Sequence, residues 1–322
     1  MKKVLAITLI FALALCLFAC GKKDTDSVTT RVMVLNGTTG FGMANLMSAS
    51  QAGQARQAYT FRVETDASNI TAALINGSVD IAALPTNAAS VVYNKTGGAV
   101  QVLALNTLGV LYLVSDQTIQ SFADLKGKTV YAPAQNPTFI LKYLCEANGL
   151  TVGTDVIIDN TYAQPADLNA AVSSGQVSLA VLPEPMVTIA KSTNKNLNVC
   201  LDLTQEWDKV SPVGSLVQGC VVVRKEFAEK NPLAVATFLE EYEASIQLLK
   251  TDVVGTAVKI QQTGIFAKSA VAEKAIPNCN VCFIAGKDMK AALASFLEIL
   301  HGIAPNSIGG KLPGEDFYYN AA

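Results

Sequence analysis

Four polar residues of this chain are answered by polar residues 98 positions later. Thr38 is matched by Asn136, Asn69 by Asp167, Thr86 by Glu184 and Asn106 by Thr204. Each lies just after an apolar run or at the start of a segment with helical periodicity. With Thr39, Gly40, Asn87 and Thr138 beside them, they form a set of hydroxyls, amides and carboxylates without a Lys or Arg. Such groups can hold a small polar molecule by hydrogen bonds. In open α/β sheets ligands sit beyond the carboxyl ends of the strands, where loops lead into helices. Free backbone N–H groups and the helix dipole favour an anionic or strongly polar partner at that place. Capping is the competing explanation: Asn136 before Pro137 reads as an N-cap, and so does Asn69. A cap that faces a cleft can serve both purposes. Glu184, between Pro183 and Pro185, either favours the positive end of a helix or accepts from an amine or ring N–H of a ligand. Trp207, the only tryptophan, is a candidate ligand platform beside its commoner role in packing. A zwitterion or an amine-bearing ring satisfies helix ends and Glu184 together, whereas a bare inorganic anion is repelled by the carboxylate. The expected solute is therefore organic.

The elements that position these residues also repeat. Residues 31–107 return without a gap at 129–205, most clearly where 70–85 faces 168–183 with seven of sixteen positions identical. The same register pairs Val32 with Val130, Phe41 with Phe139 and Leu103 with Leu201. Strands are predicted at 31–36, 59–64, 81–84 and 100–105, the last running on through 111–114. They recur at 129–132, 156–158, 179–182 and 198–203, with helices between them. Alternation of this kind predicts parallel sheets covered by helices on both faces. Residues 221–224 read as one more strand, the chain from 231 as mostly helical, and 306–322 as an extended surface tail. The expected organisation is a signal peptide at 1–19, a tether at 20–30, a first lobe at 31–107 and a second lobe at 108–215. Residues 216–322 are left for a return crossover and a C-terminal part packing on both lobes. Two similar halves leave a cleft, and clefts between domains are where small ligands bind.

Lys2 and Lys3 precede an apolar run from Val4 to Ala19, broken only by Thr8. That is too short for a comfortable membrane span and fits an export signal. The run ends Ala19-Cys20-Gly21, which resembles a bacterial lipoprotein processing site with Cys20 lipidated. Loss of Lys2 and Lys3 takes the formal net charge from −2 to −4, which argues against a nucleic-acid partner. Without Cys16 and Cys20, five cysteines remain, an odd number that cannot all pair. Cys279-Asn-Val-Cys282 has the spacing of half a zinc site, but His301 is the only histidine, so buried apolar cysteines are expected.

Enzyme motifs are missing: there is no Gly-x-Ser-x-Gly elbow, no His-Glu-x-x-His and no Gly-Lys-Ser/Thr phosphate loop. Gly37, Gly40 and Gly42 have the wrong spacing for a dinucleotide fingerprint, and no cofactor is expected. Four segments, 72–85, 122–130, 182–185 and 221–232, carry a family resemblance through their order and spacing. The chain resembles the lipoprotein solute-binding components of ABC importers in the nitrate, sulfonate, taurine and thiamine-precursor group. The resemblance implies a type II periplasmic-binding-protein fold: two α/β lobes joined by two crossovers and closing on ligand. It also implies that loops at Thr38–Phe41, Thr86-Asn87 and Asn136–Thr138 line the cleft, and that a permease and its ATPase receive the solute. The expected protein is a monomeric, extracytoplasmic, lipid-anchored receptor. An enzyme on the same fold, such as a pyrimidine-forming synthase, and a sensory receptor for a signalling partner are the alternatives.

Overall fold

A computed structural model describes residues 28–320. The chain opens with strand β1 (Thr30–Leu35), short helix α1 (Thr38–Phe41) and helix α2 (Ala44–Gln51). Then come β2 (Tyr59–Glu64), α3 (Ala67–Asn76), β3 (Ile81–Pro85), α4 (Thr86–Thr96) and β4 (Val100–Thr107). After a crossover the order is replayed: β5 (Leu111–Ser115), β6 (Thr129–Tyr131), α5 (Asn136–Ala147), β7 (Ile157–Asp159), α6 (Pro165–Ser173), β8 (Leu179–Pro183), α7 (Met186–Thr193) and β9 (Asn198–Asp202). Helix α8 (Leu203–Val210) leads back to β10 (Gly219–Arg224). Helices α9 (Lys225–Lys230), α10 (Pro232–Thr251), α11 (Val253–Gln262) and α12 (Ser269–Ala275), strand β11 (Val281–Ile284) and helix α13 (Gly286–Ile303) follow.

Two sheets result, one per lobe, with orders β11-β4-β10-β3-β1-β2 and β7-β6-β8-β5-β9. The 98-residue repeat is visible in them: β1, β2, β3 and β4 correspond to β6, β7, β8 and β9. The expectation of parallel sheets is corrected at β10 and β11 in the first lobe and at β5 in the second, β11 pairing antiparallel with β4 at the sheet's edge. In the first lobe β10 runs antiparallel between β3 and β4. In the second β5 does the same between β8 and β9. Each lobe thus takes the antiparallel strand at its sheet's interior from just after a crossover between lobes. The predicted run through 100–114 is likewise broken, because β4 and β5 belong to different sheets.

Strand β3 is buried along Ile81–Leu84 because both sheet faces are covered, and its sequence is apolar without alternation. Helix α10 begins with Pro232 at its first turn, where a missing N–H costs nothing. It buries Val235, Phe238, Tyr242, Ile246 and Leu249, a stripe at helical spacing, against the first lobe's sheet. Phe238 and Tyr242 stack at 5.5 Å. Full burial of each such side chain stabilises by roughly 1.5–3 kcal/mol. Asn45 of α2 is buried among these helices. Its amide donates to the Ser245 carbonyl and the Thr256 hydroxyl, both at 3.0 Å, and its oxygen accepts from Lys259 at 2.9 Å. The C-terminal residues do more than trail over the surface: Ile308 and Phe317 are fully buried, and Tyr319 N–H donates to the Val102 carbonyl.

The crossovers are clasped together. Gln218 on the second accepts from Val110 N–H on the first at 2.7 Å, and its own N–H donates to the Thr107 carbonyl at 3.0 Å. Asn280 donates to the Gly109 carbonyl at 2.6 Å from the C-terminal part.

Candidate functional site

A cleft of about 830 Å³ opens between the lobes beyond the ends of β1, β3 and β8. The first lobe supplies Thr38, Thr39, Asp66 and Pro85, the crossovers Thr107, Val110 and Gln218, and the C-terminal part Phe266. The second lobe supplies Asn136, Gln164, Asp167 and the Pro183–Met186 corner with Glu184. Among the lining residues the charged ones are Asp66, Asp167 and Glu184, and none is Lys or Arg.

Of the residues nominated by sequence, Thr38, Thr39, Asn136 and Glu184 line this cleft, as does Asp167, the repeat partner of Asn69. Others stand behind it and hold it. Asn106 donates to the Thr39 carbonyl at 3.0 Å and so fixes the loop at α1. Thr86, fully buried, bolts α4 to the second crossover by donating to the Val217 carbonyl at 2.7 Å. Thr138 donates to the Pro133 carbonyl and accepts from Asn160, both at 2.7 Å, bracing the loop before α5. Gly40 is packed so closely under Leu35 and Ile265 that a side chain there would strike the Leu35 carbonyl. Asn87 is buried and meets Asn136 across the lobes.

Two nominations are corrected. Asn69 is exposed on the first turn of α3 and donates to Glu64 at 3.1 Å, away from the cleft. Helix α3 starts earlier than predicted, and Asp66 is its cap, accepting from Ser68 N–H at 2.8 Å. Trp207 is wholly buried in the core, between Tyr143 and Phe296, and its indole N–H donates to Ser215 at 2.8 Å. Asn136 also differs in detail: it is the first residue of α5, with Gln135 before it as the cap position and no side-chain capping bond.

Sequence reasoning missed Asp66 and Gln164, which are 98 residues apart and are the N-cap positions of α3 and α6. The repeat had nominated the pair three residues further on. Asp-x-Ser at 66–68 was the available signal, since an acceptor side chain before a helix bonds the second or third N–H.

Helices α3, α5, α6 and α7 all begin at the cleft. Three of these positive ends are answered from within the chain, that of α6 by Asp167 in its first turn. Asp66 caps α3, and the bond from Ser68 N–H holds its carboxyl below the ordinary range, so it stays ionised. Glu184 accepts from the N–H of Thr188 in α7. Burial nevertheless raises the Glu184 carboxyl above its usual value, against the pull of Thr188, Asn278 and Lys191. The free cysteines Cys279 and Cys282 are buried, and desolvation pushes the Cys282 thiol up to about 12. Among the described residues no group of three His, Cys, Asp or Glu could hold a metal ion. Among them, too, no helix is long and apolar enough to cross a membrane.

The family model described as the substrate binding domain of ABC-type glycine betaine transport systems matches residues 46–272, more than half of the chain. A crystal structure of an ABC transporter from Parabacteroides distasonis is similar, with a TM-score of 0.77 and 25% identity over 91% of this chain and 99% of that one. The periplasmic aliphatic sulphonate binding protein SsuA from Escherichia coli shares the fold at a TM-score of 0.71 and 16% identity, covering 90% of this chain and 92% of its own. The periplasmic nitrate-binding protein NrtA from Synechocystis PCC 6803 does so at 0.55 and 14%, covering 73% of this chain and 66% of its own. Comparison with curated proteins gave no match.

Proposed function

The chain belongs to the family of substrate-binding domains of ABC-type glycine betaine transport systems, and from that premise we propose that it captures a small organic solute bearing a cationic or hydrogen-donating group. The observation that supports this solute class is the charge of the cleft: Asp66, Asp167 and Glu184 line it, without a Lys or Arg. A bare anion there meets carboxylates and no countercharge. Helix α5 has no acidic residue in its first turn, so its N–H groups remain for an anionic end of the same molecule. Amino-sulfonates and aminopyrimidines of the thiamine-precursor type combine both ends, and closure of the lobes would then hand the solute to a permease and its ATPase.

Calorimetric titration tests the solute class with taurine, 4-amino-5-hydroxymethyl-2-methylpyrimidine, ethanesulfonate and nitrate. An amine-bearing compound binds tightest, and Glu184→Gln weakens it by about ten-fold, the scale of a lost charged hydrogen bond. Nitrate binding tighter than either amine overturns the reading.

The proposal includes a lipid anchor on Cys20, which lies outside the described residues. The signal-like run and Ala19-Cys20 support it. Cys20→Ala should release the protein from the membrane fraction of cells expressing the full chain, and unchanged membrane association rules the anchor out.

A further inference from the structure

Asn136 is 7% exposed and lines the cleft, yet its Oδ1 has no hydrogen-bond partner among the described residues. Its Nδ2 donates to Asn87 Oδ1 of the other lobe at 2.9 Å. The direction of that bond is set further away. Asn87 Nδ2 donates to the Ser307 backbone carbonyl at 3.3 Å, and a carbonyl can only accept. Asn87 must therefore keep its nitrogen toward Ser307 and its oxygen toward Asn136. Asn136 must in turn give its nitrogen to Asn87, which leaves its oxygen, buried in the wall of the cleft, without a partner among the described residues. An amide that is free to flip can serve donors and acceptors alike. This one cannot.

A second observation concerns what the cleft lacks. Quaternary ammonium groups have no N–H and are recognised chiefly by aromatic faces. Phe266 is the one aromatic side chain lining the cleft among the described residues. The lining instead offers acceptors: the carboxylates of Asp66, Asp167 and Glu184, and the fixed oxygen of Asn136.

We propose that Asn136, held in one orientation by Asn87 and Ser307, is a specificity-determining acceptor that requires an N–H donor on the solute and rejects fully methylated ammonium compounds. The inference rests on the donor-bearing solute proposed above and narrows it. It also separates this chain from the quaternary ligand in its family's description. The physical reason is asymmetric. A ligand N–H fills the vacant lone pairs of a buried oxygen, whereas a methyl group covers that oxygen and leaves it unpaired.

The test uses two pairs of probes that differ by methylation: taurine with its N,N,N-trimethyl derivative, and 4-amino-2-methylpyrimidine with its dimethylamino counterpart. In calorimetry the N–H member of at least one pair binds ten-fold or more tighter than its methylated partner. Asn136→Leu brings that ratio close to one, by weakening the N–H member alone. Asn87→Leu lowers the ratio as well, because it frees the Asn136 amide to turn. The far-ultraviolet circular dichroism and melting temperature of each variant, unchanged from those of the unaltered protein, serve as the folding control. Equal binding of both members by the unaltered protein overturns the inference, and so does an Asn136→Leu variant that weakens both alike. Neither result touches the importer reading. Failure of every probe to bind overturns the proposed solute class, and this inference with it.

Discussion

The Glu184 carboxylate accepts both the backbone N–H and the hydroxyl of Thr188, at 3.1 Å each, while lying only 3% exposed at the cleft. Helix α7 thus begins on a charge that water scarcely reaches. That charge would serve the donor-bearing solute proposed above and is a burden to the empty protein.

A pH dependence follows from this burden. Burial raises the Glu184 carboxyl above its ordinary value of 4.5, so the folded chain keeps the proton to higher pH than the unfolded chain does. The protein then loses stability as pH rises from 4.5 through the folded value. Glu184→Gln should raise the melting temperature of the empty protein by a few degrees at pH 7.5. The gain should shrink as pH falls toward 4.5, where the raised value leaves more than half of the native carboxyl protonated. Thermal melts across pH check this, and a variant that is less stable at pH 7.5 contradicts it.

Trp207 should report packing and not ligand contact. Its burial predicts blue-shifted emission that acrylamide quenches poorly, with or without solute. Trp207→Ala removes a large core side chain and should cost about 3–5 kcal/mol in denaturant unfolding. Ready quenching of the empty protein's emission would show the indole to be exposed.

Asn45→Ala should destabilise by about 1–3 kcal/mol, because the Ser245 carbonyl and the Lys259 ammonium lose a buried partner. Solute affinity should remain within two-fold, since Asn45 is not among the residues that line the cleft. Urea unfolding and calorimetry on the same variant separate the two effects.

Gly109 and Thr204 form a compensating pair. A β-carbon on Gly109 would meet the Thr204 hydroxyl and Leu216 at the crossovers. The Thr204 Oγ1 is itself buried without a hydrogen-bond partner among the described residues. Gly109→Ala should therefore cost about 1–3 kcal/mol. Thr204→Ala should be nearly neutral, and the double variant should recover at least half of the loss. Simple addition of the two single effects would show that they do not share this space.

The two-lobed fold was legible because its signal is local and doubled. β3 and β8, apolar and closed by proline, carry the repeat in plain view. What the sequence hid are choices among buried partners. β5 and β10 enter their sheets antiparallel, but strands covered on both faces carry no alternation to mark direction. The break between β4 and β5 falls in Leu108-Gly109-Val110, which is as apolar as its flanks. Trp207 was ambiguous because an indole suits a core and a cleft equally well. Asn69 and Asp66 were confused because a helix start is uncertain by a few residues, and those residues decide which side chain caps it. Asn136 and Glu184 could be nominated from their place in the repeat. The orientation of the Asn136 amide could not, because Asn87 and Ser307 impose it from 49 and 171 positions away.

The insertion of β10 between β3 and β4 has a consequence for the order in which the polypeptide can assemble. The second sheet uses only residues 111–202, a continuous stretch, and can pair as soon as that stretch is made. The first sheet holds an unfilled slot at its centre until residues 219–224 arrive, although four of its strands are the earliest in the chain. Until then β3 and β4 keep open edges, the kind of surface that recruits a foreign strand. A cell making this protein must shelter the earliest-made lobe the longest.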